Sequence, residues 1–428
     1  MGLWLLATGL GVGAEAATAA RAMALAREGA AAAEGRDPAT SLARLEAAVA
    51  LRPDLPAILE ALAAAQVANQ RPDDAVVTLE RMAALGVGAA IEKSEEFAEL
   101  RARSDFQALV KKLAANLHPR GKGEVAFALR DVTGLMEGIA WRRKSGDFFF
   151  GDVHNQTVWR RNRAGVLTRF SREGAELLGV FGLAVDEGRG ALWAATSAVP
   201  EMRGYDGTQE GSAALIEIDL ESGEVRRTFP VRSRADQPSP PVLRDVAVDA
   251  NGTVWLIDGG SPAVWRLGDS AEALERFAES AEFLSLQGIA VLPSGVVVVS
   301  DRASGLLRLD PATRQVRRID HAADVTLVGL AGLAATPSGQ VFAIQNGQWP
   351  NRVLGLELDE AGENVRSVTV VESGHLALSA PTLGCLATDG EFHYVGNSGW
   401  MRFASPEARP TPPRSVPVFR SKLASAKP

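Results

Sequence analysis

Glu137, Asp152, His154, Ser197, Arg203, Asp245, Asp258, Gln287, Asp301, Arg302, Gln345, Asn346, Arg352, His375, Asn397 and Trp400 are side chains that could do chemistry, and all recur near matching points of a repeating unit. Carboxylates in such a set can move protons or contribute oxygens to a divalent cation. Guanidinium groups such as Arg203 and Arg352 can grip a carboxylate or phosphate with two parallel hydrogen bonds. His154 and His375 are candidate bases beside Asp258 or Asp301, and Trp400 can stack on a sugar or an aromatic ligand. Each also has a structural alternative, such as a strand-end cap or an ion pair between neighbouring units, and about half are expected to serve that way. No Gly-x-Ser-x-Gly pattern accompanies the serines, so a nucleophilic serine is not supported.

The repeat that places them is a small-apolar motif. It reads Glu137-Gly138-Ile139-Ala140, Phe181-Gly182-Leu183-Ala184, Arg244-Asp245-Val246-Ala247, Gln287-Gly288-Ile289-Ala290, Ala331-Gly332-Leu333-Ala334 and Leu383-Gly384-Cys385-Leu386. A turn, a short β-branched or aromatic run and then a polar residue follow each motif: Asp152, Ser197, Asp258, Asp301, Asn346 and Asn397. A period of roughly 40–50 residues built from several short strands predicts a β-propeller, here of six blades. The small residues suit innermost strands crowded around an axis. Runs such as Phe148–Phe150 and Val297–Val299 then read as second strands, closed by turns such as Asn251-Gly252. The start of each first strand and the end of each second strand share one face, so the polar set above forms a funnel at one end of the axis.

Before the propeller the composition changes. From Ala17 to about Asn116 the chain is rich in Ala, Leu, Arg and Glu with helical apolar spacing. Ser41–Leu51 matches Ala75–Leu85, pairing Leu45 with Leu79 and Ala48 with Met82. That offset of roughly 34 residues is the period of a tetratricopeptide helix pair. The expected organisation is a signal peptide over 1–16, a tetratricopeptide-like helical domain over 17–116, a linker over 117–124 and a mainly β, six-bladed β-propeller over 125–428. The arm is read either as a docking site for a protein partner or as a buttress packed on the propeller. Glu124–Arg130 and Ser415–Leu423 compete as the outer strand that closes the ring.

Gly2–Val12 is a short apolar run followed by Ala14-Glu15-Ala16, which fits a signal-peptidase site and predicts a periplasmic or secreted protein. Against this, no Lys or Arg precedes the run; the alternative is a cytoplasmic chain with a buried first helix or a start site placed too late. The run is too short to span a bilayer, and no integral membrane segment is expected. A formal net charge of −7 without a basic block argues against nucleic acid as a partner. Cys385, the only cysteine, excludes an internal disulfide.

Glu137-Gly138-Ile139-Ala140-Trp141 resembles the opening motif of the SMP-30/gluconolactonase-like propellers, the regucalcin superfamily. Ala198–Tyr205, Ile344-Gln345-Asn346-Gly347, Pro381-Thr382-Leu383-Gly384 and Tyr394–Trp400 are similar to phrases of related six-bladed propellers, so the resemblance spans roughly residues 125–405. It implies a lactone or ester hydrolase that holds a divalent metal, calcium or zinc, on the propeller axis, with Glu137 as one ligand. The corresponding positions of the other blades carry Phe181, Arg244, Gln287, Ala331 and Leu383, none of which matches the family's Asn and Asp ligands. Asp245 and Asp301 are the nearby carboxylates left for catalysis, both out of the family's register. The reading is therefore a propeller that takes a small polar or anionic ligand in its funnel, with no cofactor expected. A metal-dependent lactonase and a protein-binding scaffold are the alternatives.

Overall fold

A computed structural model describes residues 18–121, 123–231, 237, 239–387, 390–403 and 413–423; the expected signal peptide lies outside them. The arm comes first, with α1 (Thr18–Glu34), α2 (Pro38–Leu51), α3 (Pro56–Ala68), α4 (Pro72–Ala84) and α5 (Ser104–Asn116). Prolines open α2, α3 and α4, where their missing N–H costs nothing. Asp37 caps α2 by accepting the Thr40 N–H at 3.1 Å. The small residues Ala48, Ala63 and Ala75 are buried where helices cross, and Leu45, Leu79 and Met82 fill the core between them. No helix among the described residues is long and apolar enough to cross a membrane.

Six antiparallel sheets follow; in the first five the four blade strands run in sequence order from axis to rim, and the sixth takes its outermost strand from the start of the propeller. Their innermost strands are β3 (Met136–Arg142), β7 (Gly179–Asp186), β11 (Leu243–Val248), β15 (Leu286–Val291), β19 (Leu330–Ala335) and β23 (Gly384–Leu386). The second strands are β4 (Asp147–Asp152), β8 (Ala191–Ser197), β12 (Val254–Asp258), β16 (Val297–Asp301), β20 (Val341–Gln345) and β24 (Phe392–Val395). The six-bladed propeller read from the repeat is the architecture observed. Both candidates for closing the ring take part. In blade 6, β25 (Arg414–Ser421) is the third strand, and β2 (Glu124–Val132) pairs with it as the outermost. The two-residue strand β1 (Arg120–Gly121) adds to the outer edge of blade 5 through Ser373 and Glu372.

Two features set the funnel. First, the pairing register slips within each of β3, β7, β11, β15 and β19, between Met136 and Ile139, Val180 and Leu183, Leu243 and Asp245, Leu286 and Gly288, and Leu330 and Leu333. Such bulges re-aim side chains, here at Glu137, Phe181, Arg244, Gln287 and Ala331. Second, the motif glycines admit the neighbouring inner strand: a Cβ on Gly138 would stand 2.0 Å from the Phe181 carbonyl oxygen.

The recurring acid at the end of the second strand is a clasp. Asp152 accepts the backbone N–H groups of Leu135 and Asn155, the Asn155 side-chain amide and the Trp159 indole N–H. Asp258 accepts from Val242, Gly260 and Ser261. Asp301 accepts from Leu284, Ser285, Ala303 and Ser304. In blade 5 the strand ends one residue before Asn346, and Gln345 takes the same place, donating to the Thr326 and Val328 carbonyls at 3.0 and 2.8 Å. Each clasp ties the end of a second strand to the segment leading into its own first strand.

Replacing Asp301 with Ala would strand four N–H donors, one buried and three partly buried. The substitution is expected to cost on the order of 3 kcal/mol and to lower the propeller's melting temperature. A calorimetric loss under about 1 kcal/mol would show that the clasp does not hold the blade.

Candidate functional site

The funnel forms where the bulged inner strands end. Glu137 projects from β3, buried, with its Oε2 accepting the Trp400 indole N–H at 2.6 Å. Trp400 comes from the turn after β24. Gly399 starts that turn at φ +94°, and a Cβ there would meet the Arg414 guanidinium at 2.4 Å. Arg414 in turn donates to the Asn397 and Ser398 carbonyls. The indole leans over Phe181, with ring centroids 6.2 Å apart, so it covers the carboxylate from above.

Opposite stands Arg244. Its guanidinium carbon lies 5.3 Å from the centre of the Phe181 ring and 6.0 Å from that of Trp400, a cation over two aromatic faces. Its Nε has no partner among the described residues. Arg302, from the turn after β16, completes the group. It donates to Asn346 Oδ1 at 3.0 Å, while Asn346 holds the Pro381 carbonyl at 2.7 Å. Gln287 sits beside them, its amide turned to the Ser285 hydroxyl at 3.0 Å.

The electrostatics follow from crowding. Burial pushes the Glu137 carboxyl up to about 7, against the opposing pull of the Trp400 bond and of Arg244 and Arg302. Burial pulls both guanidinium groups below their ordinary range, and the charge of Arg244 adds to this at Arg302. The Arg302 side chain is also exposed to solvent, so water weakens this depression. Two cations thus share a recess with one carboxylate that an indole already engages.

The other residues expected from the sequence are placed as follows. Asp152, Asp258, Asp301 and Gln345 are the clasps described above. Asp245 occupies the glycine position of its motif. Its carboxylate accepts the N–H of Val246 at 2.9 Å and of Ile289 at 3.1 Å, stitching blade 3 to blade 4. Burial pushes it up to about 7, and the charge of Glu137 adds to the rise. His154 Nδ1 donates to the Glu201 carbonyl at 2.7 Å, and its ring packs on Phe403. Arg203 donates to Asn155 on the exposed rim. His375 Nδ1 accepts the Ala377 N–H, and its ring meets Phe419 edge-on. Arg352 is buried and points away from the axis, donating to Gln345 Oε1 at 2.9 Å and to the Leu85 carbonyl of the arm at 3.0 Å. The structure therefore brings together Glu137, Gln287, Asn346 and Trp400 with Arg244 and Arg302, and keeps Arg203 apart from Arg352.

A divalent cation does not suit this donor set. No group of three or more His, Cys, Asp and Glu side chains that could hold a metal occurs among the described residues. Glu137 is bonded to an indole N–H and faces positive charge, whereas calcium takes roughly 6–8 oxygens and zinc about four N, S or O ligands. At the other end of the channel a cavity of about 1100 Å³ opens between Trp141, Val185, Val248, Val291 and Leu386. It gathers none of the polar residues above.

No family model matches the chain, and no curated protein matches it. Solved structures do. It is similar to a gluconolactonase from Xanthomonas campestris at 15% identity, with a TM-score of 0.47, over 72% of this chain and 95% of that one. A luciferin-regenerating enzyme matches at 15% identity and a TM-score of 0.46, over 69% of this chain and 94% of its own. Virginiamycin B lyase from Staphylococcus aureus matches at 12% identity and a TM-score of 0.43, over 63% and 80%. These likenesses concern the fold, which the sheet topology establishes independently.

Because Glu137 and Asp245 carry folded-state pKa values above their unfolded ones, each favours the folded state at low pH. That contribution is lost as pH rises from about 4 through about 7. Glu137→Gln keeps an oxygen for the Trp400 N–H and removes the charge. The melting temperature of the unchanged protein should fall between pH 5 and pH 8, and that of Glu137→Gln should fall less. Parallel melting curves would contradict the buried, neutral carboxyl.

Proposed function

We propose that the top-face funnel binds a small anion, a carboxylate or phosphate compound, without divalent-metal chemistry. The observation that carries this reading is the buried Nε of Arg244, which has no hydrogen-bond partner among the described residues. Arg244 is enclosed by aromatic faces with its Nε unsatisfied, and Arg302 adds a second guanidinium beside it. A buried donor without an acceptor costs free energy that an incoming oxyanion would recover, and two guanidinium groups offer the planar forks that carboxylate and phosphate fit. Trp400 supplies an apolar wall over the site, and Gln287 and Asn346 supply amides at its edge.

A second reading rests on Glu137. A carboxyl with a pKa near 7 beside an anion site is suited to take or return a proton at neutral pH, which would make the bound anion a substrate. Glu137→Gln separates the two readings, since it would abolish turnover while leaving binding in place.

Titration calorimetry against inorganic phosphate and a panel of small mono- and dicarboxylates is the test. Arg244→Ala and Arg302→Ala are each expected to weaken the best-bound anion by about 10- to 100-fold. Arg203→Ala, on the outer rim, is expected to change affinity by less than about twofold. Equal affinities in all three variants would refute the funnel as an anion site.

A further inference from the structure

The arm does not stand free of the propeller. Its contacts fall on the two loops that carry the funnel's outer guanidinium and the amide that holds it. Arg52, at the end of α2, is fully buried and clasps Asp54 with two bonds of 2.7 and 2.8 Å. Its Nη1 reaches the carbonyl of Ala303 at 3.4 Å, one residue beyond Arg302. His321, in the loop between blades 4 and 5, stands 3.5 Å from the same Asp54 carboxylate. Burial works to raise that carboxyl, yet its bonds to Arg52 and His321 hold it well below the usual range. The backbone of Arg302 is fixed on both sides as well: its N–H donates to the Ser285 carbonyl at 2.9 Å, and its carbonyl accepts the Gly329 N–H at 2.8 Å.

The second loop is held in the same way. Arg352 joins the Leu85 carbonyl at the end of α4 to the side chain of Gln345, the residue before Asn346. The Gly88 N–H donates to the Trp349 carbonyl at 2.8 Å. Val328, beside Gly329, belongs to the arm's own hydrophobic core. Asn346 is the acceptor that orients the Arg302 guanidinium.

We infer that Arg52, with Arg352 as its counterpart, is a positioning residue for the funnel: the docked arm fixes the backbone on either side of the Arg302–Asn346 pair and so sets how tightly an anion is gripped. The inference rests on the anion-binding reading of the funnel. Its physical basis is that a guanidinium gives directional bonds only if its backbone anchor is held, and a surface turn is otherwise among the least stable parts of a fold. A helical arm spread over two blades can supply that anchor without touching the ligand.

The test uses the full chain with inorganic phosphate and citrate as probes in titration calorimetry. Removing Arg52 alone would leave Asp54 buried and unpaired, so the primary variant combines Arg52→Met with Asp54→Leu, a packed apolar replacement of the kind that preserves folding. Arg352→Met is the independent second variant. Each is expected to raise the dissociation constant about five- to tenfold, a usual size for coupling between separate sites. In an Arg302→Ala background the same arm changes should add less than about twofold, because the group they position is gone. An unchanged dissociation constant, or the same factor in both backgrounds, would overturn the inference and leave the arm a general support. If Arg302→Ala weakens binding and the arm variants do not, only the inference fails. If the unchanged protein binds neither anion, the funnel reading falls and this inference with it.

Discussion

Six inner strands converge on one axis so closely that, at the motif glycines of blades 1, 2, 4 and 5, a methyl group has no room beside the next strand. Cβ atoms placed on Gly288 and Gly332 would lie 2.4 and 2.7 Å from the facing carbonyl oxygens. Glycine relieves the crowding, and each bulge gives the strand one extra residue with which to bend toward the axis. The rest of the funnel depends on that geometry. The bulges throw Glu137, Arg244 and Gln287 toward a common centre from three different blades. Blade 3 breaks the rule with Asp245, and its carboxylate fills the space a glycine leaves elsewhere by taking a backbone N–H from the next blade. The ring is thus least regular where its charged side chains gather.

Much of this was legible in the sequence. The motif's spacing set the blade boundaries, and aligning the six copies put Glu137, Arg244 and Gln287 on one ring. The polar residue after each second strand was also visible. Its role as a clasp was not, because an acid that accepts backbone N–H groups and one that faces solvent look alike in sequence. Blade 5 shows a different obstacle. Its second strand ends one residue sooner than the spacing implied, which gives Gln345 the structural task and leaves Asn346 for Arg302. The pairing of arginines was beyond spacing altogether. Arg203 and Arg352 lie on loops whose course depends on tertiary contacts. Arg352 is drawn to a carbonyl of the helical arm 267 positions away in the chain, and Trp400 reaches Glu137 across 263.

The arm's docking shows how polar groups can be buried without being wasted. Its helices bury leucines and alanines against one another, while the seam with the propeller is made largely of carbonyls, guanidinium groups and one carboxylate. Such seams add less stability than apolar ones but fix a single orientation, since each bond is satisfied in only one geometry. An apolar seam over the same loops could slide; this one cannot without parting Asp54 from His321 and Arg352 from the Leu85 carbonyl.

The closure of blade 6 bears on how the protein is made. Glu124 and Val125 pair with Arg420 and Phe419, so β2 is made long before the strand that becomes its neighbour. Until then the arm can fold, and five blades can assemble in order, but β2 presents an open edge carrying Val125 and Phe127. Completion of the ring therefore waits for the synthesis of β25. A nascent chain stalled before Arg414 would carry an unsealed seam, a form that chaperones and proteases are equipped to recognise.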